Sequence, residues 1–449
     1  MKKYLFIAFV VSIMSCHNTA TDKEAAKPFQ LVTLDPGHFH AALIQKTMYD
    51  DVASTVRVYA PEGKDLQAHL DRVNSYNTRG DNPTHWVPEV YKGTDFFNKM
   101  IADKKGNVVV LSGNNRLKTD YILQSLQNGF HVLADKPMVI NVNDFEKLKT
   151  AFEAAAKNKL LLYDIMTERS EITTILQREL SMMPAVFGAL EKGTPENPAI
   201  TKESVHHFYK FVSGKVLVRP SWFLDVAQQG EGIVDVSTHL VDLIQWACFP
   251  NQILDYTKDI QINFAKRGAT DMSLTDFKTI TQTDGFPDYL KKNVVKDTIL
   301  QVFCNGEINY TLKGIHAKTS VIWAYKAPEG SGDTHYSIMR GTKANLVIKQ
   351  GVEEQYKPTL YIQPVGAAGD WTEAFKTIAQ KYEGVTFEQM GNKWKAIIPK
   401  KYDEGHEAHF GRVTERYLEY LKKGNMPAWE VPNMLAKYYT TTKALSLAK

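Results

Sequence analysis

The stretch NGFHVLADKP, residues 128–137, places a lysine at the end of a short apolar strand. A helix-like run at residues 121–127 precedes this strand, and residues 131–134 have the pattern of a buried strand. Pro137 fixes the backbone directly behind Lys136. The stretch therefore predicts the helix-to-strand half of a doubly wound α/β unit, whose strand ends carry the chemistry. At such an end, Lys136 can contact a substrate oxygen.

Composition indicates a globular protein with more than one domain. The 449 residues are 43% hydrophobic and 23% charged, which is enough for two or three domains with cores of their own. The formal net charge is +4 without a basic run, which argues against nucleic acid as a partner. Beyond residue 16 the cysteines are Cys248 and Cys304. One such pair predicts two buried free thiols rather than a disulfide framework or a zinc site.

The N-terminus has the pattern of a targeting segment. Two lysines precede an apolar run at residues 4–13, which is too short to span a membrane as a mature helix. The sequence IMSC at residues 13–16 resembles a bacterial lipobox, and it predicts a lipoprotein signal peptide over residues 1–16 with Cys16 lipidated. Residues 17–28 would form a polar tether, and the location would be the cell envelope, periplasmic or surface-exposed. An ordinary secretory peptide and an apolar cytoplasmic start are the alternatives.

A second candidate site follows the first predicted strand. An apolar strand (residues 29–34), the loop DPGHFH (35–40) and a helix-like run (41–48) occupy the position where a dinucleotide fold turns from strand to helix. Of the three glycines in G-x-G-x-x-G, the middle one is present as Gly37, and an aspartate and a histidine replace the outer two. A plain strand-turn-helix would explain this loop equally well.

The spacing after this loop favours a dinucleotide site. A strand at residues 55–60 is followed by Glu62, where an acidic residue would meet the ribose hydroxyls, which favours NAD over NADP. A third strand at residues 107–112 ends in Gly-Asn-Asn, a loop able to approach a cofactor closely. The polar residues 64–97 between these strands predict either an insertion over the cleft or a surface excursion.

At this point the chain resembles the Gfo/Idh/MocA oxidoreductases. Residues 128–137 match that family's A-G-x-H-V-x-x-E-K-P segment, with Asp135 in place of the glutamate. The sequence GEGIVDVSTHLVD (230–242) is similar to its Gly-rich helix start with a D-x-x-x-H motif, and residues 219–225 to its usual lead-in. The resemblance covers residues 29–246 and is loose afterwards.

The resemblance implies an α/β protein with an N-terminal Rossmann dinucleotide-binding domain (residues 29–165) and a C-terminal α+β substrate-binding domain (166–449) that has a mostly antiparallel sheet. The sequence after residue 166 contains several β-rich segments, which agrees with such a sheet. The β-rich segments are residues 205–212, 298–303, 308–312, 335–339 and 345–348. Residues 370–423 are predicted to be helix-rich, and 431–447 to form a final helix packing back. The resemblance also implies a homo-oligomer.

The catalytic candidates are Lys136, Asp235 and His239. Asp235 and His239 are four residues apart, which would place them on one helix face, and the family resemblance puts both beside Lys136. His239 suits the base that takes a hydroxyl proton, and Lys136 can stabilise alkoxide charge. Asp235 would hold the substrate or tune its neighbours, and we expect it to raise the pKa of His239. Taken alone, Asp235 and His239 fit an ordinary pair of polar residues on one helix face. Lys136 taken alone fits a solvated surface lysine.

Further contacts with the cofactor and the substrate are predicted from the position of residues along the sequence. The predicted cofactor contacts are Asp35, Gly37, His38, Phe39, His40, Glu62, Ser112, Asn114, Asn115, Asp135 and Lys136. The predicted substrate contacts are His207, Tyr209, Trp222, Asp235 and His239. The alternatives are a half-buried aromatic strand around His207 and a tryptophan that anchors the domain junction. His406 and His409 are three residues apart rather than four, so no metal site is expected.

These features predict an envelope-anchored, NAD(P)-dependent oxidoreductase that acts on a ring hydroxyl of a sugar or glycoside. An exported enzyme lacks the cytoplasmic nicotinamide pool, so its cofactor would stay tightly bound. One alternative is a redox-neutral NAD-dependent glycosidase. The other is a non-catalytic sugar-binding lipoprotein, with the damaged glycine loop reflecting lost cofactor binding. The partners would be a small carbohydrate and a membrane reached through the lipid anchor alone.

Overall fold

The computed structural model describes residues 27–212 and 215–449. The predicted signal peptide, Cys16 and all but the last two residues of the tether therefore lie outside the described residues. Within the described ranges, each helix is too short or too polar to cross a membrane. Both described cysteines are free thiols; Cys304 is buried, whereas Cys248 is only half-buried.

The N-terminal domain is built on a six-stranded parallel sheet in the order β3-β2-β1-β4-β5-β6. Its strands are β1 (Leu31–Leu34), β2 (Thr55–Ala60), β3 (Val87–Lys92), β4 (Val108–Leu111), β5 (His131–Asp135) and β6 (Leu162–Ile165). This order is that of a dinucleotide-binding fold, so the predicted Rossmann domain is confirmed. The central strands are apolar throughout because helices cover both faces of the sheet.

The helices of this domain are α1 (His40–Leu43), α2 (Lys64–Thr78), α3 (Phe96–Asp103), α4 (Lys118–Gln127) and α5 (Phe145–Asn158). Two sequence predictions need correction. Residues 64–97 are neither an insertion over the cleft nor an irregular excursion, because they contain α2 and the edge strand β3. An edge position tolerates the polar sequence and Pro88 of β3. In addition, α1 is shorter than the predicted 41–48, since the chain continues as a 3-10 turn at Ile44–Lys46.

The C-terminal domain contains a ten-stranded sheet whose main path is β10-β12-β13-β7-β14-β15-β16-β18-β17, with β11 paired to β12. Its strands are β7 (Ile200–Tyr209), β10 (Ile260–Ser273), β11 (Val294–Val295), β12 (Ile299–Leu312), β13 (Ile315–Lys326), β14 (Thr334–Arg340), β15 (Ala344–Lys349), β16 (Thr359–Pro364), β17 (Thr386–Met390) and β18 (Lys393–Ile397). A separate pair is β8 (Phe211–Val212) with β9 (Lys215–Val216). Only β7 and β13 pair in parallel within the large sheet, which confirms the mostly antiparallel prediction.

The remaining helices are α6 (Ile172–Ser181), α7 (Val226–Gln229), α8 (Ser237–Cys248), α9 (Leu274–Thr281), α10 (Thr372–Lys381), α11 (His406–Lys423) and α12 (Glu430–Leu447). The predicted final helix is present as α12. The predicted helix-rich region 370–423 also holds the hairpin of β17 and β18, whose alternation of charged and apolar residues is weak. Apolar side chains of α11 and α12, including Phe410, Tyr417, Met434 and Tyr438, pack into the same core as the N-terminal sheet.

Candidate functional site

A cavity of about 2060 Å³ lies between the carboxyl edge of the N-terminal sheet and the C-terminal domain. Most of the predicted reactive and substrate-binding side chains meet there. Those lining it are His38, Phe39, His40, Lys136, His207, Tyr209, Asp235 and His239. The cleft at the strand ends of an open α/β sheet is where such folds bind ligands.

Lys136 and Asp235 form an ion pair that joins the two domains. Lys136 directly follows β5, and its Nζ lies 2.7 Å from Asp235 Oδ1. Gln229 Nε2 donates a hydrogen bond of 3.1 Å to the other carboxylate oxygen of Asp235. Both charged side chains are nearly buried, with 11% of Lys136 and 7% of Asp235 exposed. The pair is therefore held at the cavity wall, where a substrate hydroxyl can reach the ammonium group.

Asp235 does not share a helix with His239, which corrects the sequence prediction. It lies in a turn ahead of α8, and α8 begins at Ser237. This turn packs tightly on β12, because a Cβ on Gly232 would stand 1.7 Å from the carbonyl oxygen of Cys304. Glycine is needed there so that the turn can approach the strand. The close packing brings Asp235 and His239 to the same cavity by a different local structure from the one predicted.

Among the described residues, His239 contributes a buried, unpaired nitrogen to the site, as His335 and His409 of the same cavity do. Within residues 27–212 and 215–449, its Nδ1 is buried without a hydrogen-bond partner. Burial lowers the pKa of His239 well below its usual value of 6.5, and the nearby Lys136 lowers it further. The sequence predicted that Asp235 would raise this pKa, but the net shift is downward, and the carboxylates that oppose it are those of Asp135 and Asp242. At neutral pH the imidazole is therefore uncharged and able to accept a proton.

The side chains at the ends of β4 and β5 are bonded to each other. Ser112 Oγ donates to Asp135 Oδ2 at 2.8 Å, and the Lys136 backbone N–H donates to Asp135 Oδ1 at 2.9 Å. His40 Nδ1 lies 2.9 Å from Asp135 Oδ2. Ser112 and Asp135 are buried and do not line the cavity. Through these hydrogen bonds, Ser112 and Asp135 orient His40 and the backbone of Lys136.

Asn114 and Asn115 contact the C-terminal domain. Asn114 Nδ2 donates to Gln228 Oε1 at 2.7 Å, and Asn115 Nδ2 donates to the carbonyl oxygen of Gln229 at 2.6 Å. The Asn115 N–H also donates to the carbonyl oxygen of Gln228. These amide groups, which the sequence assigned to a cofactor, thus bind α7. They fix the position of the segment that leads to Asp235.

The loop after β1 tests the fit of a dinucleotide. The missing side chain of a middle glycine normally lets the backbone approach the pyrophosphate. A Cβ on Gly37 would stand 2.9 Å from Cζ2 of Trp222, whose Nε1 donates to Asp65 Oδ2 at 2.8 Å. The indole therefore lies where the pyrophosphate would approach. Trp222 does not line the cavity, and its contacts with Gly37 and Asp65 fit the alternative role at the domain junction.

The remaining features of this edge fit a dinucleotide. Burial and the nearby Asp65 raise the pKa of Asp35 to about 6, so a diphosphate bound beside it can favour its protonated form. Glu62 follows β2, and 81% of its side chain is exposed with Lys92 Nζ 3.7 Å away. This position leaves its carboxylate accessible to a ribose. The residues present fit a dinucleotide once the Trp222 indole has left Gly37.

Comparison with known proteins identifies the family. The description "Oxidoreductase family, NAD-binding Rossmann fold" matches residues 37–163, and "Putative oxidoreductase C terminal domain" matches residues 176–449. This chain belongs to the Gfo/Idh/MocA oxidoreductase family. A crystal structure of a "putative oxidoreductase" from Parabacteroides merdae is 55% identical over 94% of this chain and 98% of that chain, with a TM-score of 0.92. No curated protein sequence matches significantly.

More distantly similar structures share the fold of this chain. An oxidoreductase structure from Thermotoga maritima, also described as "putative", has a TM-score of 0.59 at 14% identity and covers 93% of this chain and 97% of that chain. A 3-ketoreductase from Actinomadura kijaniata, in complex with NADP and TDP-benzene, has a TM-score of 0.55 at 12% identity and covers 94% and 98%. At these identities the likeness establishes the architecture alone.

In this Gfo/Idh/MocA protein, sequence reasoning missed Asp333. It lies in the loop between β13 and β14. Its carboxylate accepts hydrogen bonds from the His207 backbone N–H at 3.0 Å and from the Lys210 ammonium group at 2.7 Å. Asp333 thereby positions His207, which lines the cavity as predicted. The sequence signal was the glycine- and serine-rich run EGSGD at residues 329–333. His406 also lines the cavity, with its Nε2 3.5 Å from Glu168 Oε1.

Proposed function

We propose that this protein uses NAD(P) to oxidise or reduce a ring hydroxyl of a sugar or glycoside in the interdomain cavity. The observation that carries the proposal is the convergence of Lys136 and an uncharged His239 from two different domains on one cavity. A hydroxyl at this wall would meet a proton acceptor and a cation together. Oxidation of an alcohol needs both groups, because a proton leaves the oxygen as hydride leaves the carbon.

Each residue has a distinct role in this proposal. His239 accepts the hydroxyl proton during oxidation and returns it during reduction. The Lys136 ammonium donates a hydrogen bond to the same oxygen and stabilises its developing negative charge. Asp235 is a positioning residue, because its ion pair and its hydrogen bond from Gln229 fix the Lys136 side chain. When bound, the nicotinamide supplies the hydride acceptor or donor.

Carbohydrate fits the polar groups of the cavity. His207 and Tyr209 come from β7, and Lys210 and Asp333 lie beside them. Such a set of donors and acceptors can bind several hydroxyl groups of one ring. We also propose lipidation at Cys16, an envelope location and tight retention of the cofactor, with Glu62 favouring NAD through the ribose hydroxyls. These proposals rest on the N-terminal sequence and on the position of Glu62 after β2.

The test combines cofactor binding with product analysis. Purified full-length protein is titrated with NAD and NADP, and sugars and glycosides are screened for ketone formation by mass spectrometry. We expect saturable binding of a nicotinamide dinucleotide and a ketone product. His239→Gln should bind the cofactor but lose about 10²–10⁴-fold in rate. His85→Gln, an exposed histidine, is the matched control. Absence of dinucleotide binding would refute the redox proposal.

The contact of Trp222 with Gly37 favours a second candidate. A carbohydrate-binding protein without redox activity could keep this contact permanently, because it has no diphosphate to admit. In that case, sugars would bind to the cavity while NAD and NADP would not. Calorimetric titration with both ligand classes separates the two candidates.

A further inference from the structure

Three potential metal ligands converge beside the catalytic lysine. His38 and His40 of the loop after β1 and Asp135 at the end of β5 each offer one ligand atom, and these atoms lie within 4.8 Å of one another. His40 Nδ1 is 2.9 Å from Asp135 Oδ2, and His38 Nδ1 is 3.8 Å from the same oxygen. Both imidazoles also line the cavity. The cluster is therefore preorganised and has access to solvent on one side.

The contacts around the cluster support ligation. The Asp135 carboxylate is oriented by the Ser112 hydroxyl and by the Lys136 backbone N–H, at 2.8 and 2.9 Å. Lys118 Nζ donates to the backbone carbonyl of Asp135 at 3.0 Å, which fixes the strand end below. Protein metal sites use such outer hydrogen bonds to hold ligating carboxylates in place. Two imidazole nitrogens and one carboxylate oxygen form a donor set that suits zinc and related ions.

The sequence departures from the family pattern meet at this cluster. His40 replaces the third glycine of the loop, and Asp135 replaces the glutamate before the lysine. These two side chains contact each other directly. A simple hydrogen bond between them would account for His40 and Asp135. His38 is held less firmly, because its Nδ1 accepts only a long hydrogen bond of 3.4 Å from the His40 backbone N–H and lies 3.8 Å from the same Asp135 oxygen, while its ring packs edge-on against His40. A metal ion would give this nitrogen a stronger partner.

We propose that His38, His40 and Asp135 bind one divalent transition-metal ion of the zinc class. A remaining coordination position faces the cavity, where water or a substrate oxygen can occupy it. This site lies in the loop whose two outer glycines are replaced, so the loop would bind a metal ion in addition to approaching the dinucleotide. The proposal contradicts the expectation of no metal site, which depended on the spacing of His406 and His409. It does not rest on the proposed oxidoreductase activity.

The test measures metal binding directly. Full-length protein is treated with a chelator, dialysed and titrated with Co²⁺, whose visible absorption reports tetrahedral nitrogen and oxygen ligation, and then with competing Zn²⁺. We expect about one ion per chain. His38→Ala, which keeps the bond between His40 and Asp135, should weaken binding at least about tenfold to a hundredfold. Ser112→Ala should weaken it less, because it removes only an outer contact.

The controls separate this proposal from the proposed function. His85→Ala removes an exposed histidine outside the cavity and should leave Co²⁺ affinity unchanged. The melting temperature of each variant identifies a folding failure, and Asp135→Asn then provides a second ligand variant. Equal Co²⁺ affinity in the wild type, His38→Ala and Asp135→Asn, or no stoichiometric binding, would overturn the site. NAD binding is measured on the same samples, so either proposal can fail alone.

Discussion

Two buried clusters of polar side chains meet α8 one helical turn apart, at His239 and Asp242, and they differ in their access to the interdomain cavity. On the cavity side, Lys136 pairs with Asp235, while His239 Nδ1 is without a partner among the described residues. Behind it, Asp242 accepts both Arg169 Nε and Nη2 at 2.7 Å and also contacts Lys437 Nζ at 2.8 Å. We call these the cavity cluster and the rear network.

The rear network connects distant parts of the chain. Lys437 Nζ also lies 2.6 Å from Asp164 on β6, and Arg169 contacts Glu430 at 3.1 Å. At most 3% of each of these side chains is exposed. Paired, dry charges of this kind specify an arrangement of helices. Each region leaves one buried atom without a hydrogen-bond partner among the described residues, Asp164 Oδ1 in the rear network and His239 Nδ1 in the cavity cluster. Within those residues, the side chains of the cavity cluster line the cavity, whereas those of the rear network do not. Under the proposed function, the cavity cluster therefore serves the reaction and the rear network serves the fold.

Removing the shared cation of the rear network should have the largest effect. Lys437→Met leaves Asp164 and Asp242 buried without their common partner, and we expect the free energy of unfolding to fall by about 3–5 kcal/mol. Urea denaturation at neutral pH measures it. Lys443→Met, at a half-buried position on the same helix, is the control. Equal losses in both variants would show that the network contributes nothing specific.

The pH dependence of that loss has a defined sign. Burial opposes ionisation of Asp242, but Arg169 and Lys437 hold its pKa well below the usual value of 3.8. A carboxyl group with a depressed folded-state pKa stabilises the protein above its unfolded pKa, and this stabilisation is lost as the pH falls through the folded pKa. The wild type should therefore lose stability below about pH 4, and its difference from Lys437→Met should narrow there.

The matching change in the cavity cluster should affect rate more than stability. Lys136→Met should lower turnover by about 10²–10³-fold, because the developing alkoxide loses its charged donor. Asp235 keeps the hydrogen bond from Gln229, so the stability loss should be smaller than for Lys437→Met. Initial rates, NAD affinity and urea denaturation together test this contrast. Lys157→Met, at an exposed position, is the control. Unchanged turnover would make Lys136 a structural residue.

The same variant should move the acid limb of the pH profile. Because the pKa of His239 is well below 6.5, wild-type kcat/KM for oxidation should stay level until the pH falls well below that value. Lys136→Met removes a neighbouring cation, so the pKa of His239 should rise and the limb should move to higher pH by about one unit. A limb that stays in place would assign the titration to another group.

A smaller effect is expected at Trp222. Trp222→Phe removes the hydrogen bond to Asp65 but keeps an aromatic ring, so the contact over Gly37 should open more readily. If that contact competes with the cofactor, the Kd for NAD should fall about fivefold, corresponding to one hydrogen bond of about 1 kcal/mol. Trp394→Phe, in β18, is the control. A higher Kd in Trp222→Phe would mean that the indole helps to bind the cofactor.

The sequence predicted the strand ends better than the contacts across domains. Lys136 was found because an apolar strand followed by proline defines the end of β5 locally. The run EGSGD marks a loop at Asp333, but the contact of Asp333 with His207 could not be predicted, since sheet pairing brings the two together across 126 residues. The two roles considered for Trp222 could not be separated, because an aromatic side chain does not specify which domain it faces. The pKa of His239 depends on burial and on Lys136, neither of which is visible in a four-residue spacing.

The packing of α11 and α12 also has a consequence for biosynthesis. Their side chains complete the apolar core beneath the N-terminal sheet, although they are the last helices in the chain. While the chain emerges from the ribosome, the N-terminal sheet therefore exposes apolar surface until α11 and α12 have been synthesised. Its folding is coupled to the arrival of these two helices, so strands that are made early reach their final packing late.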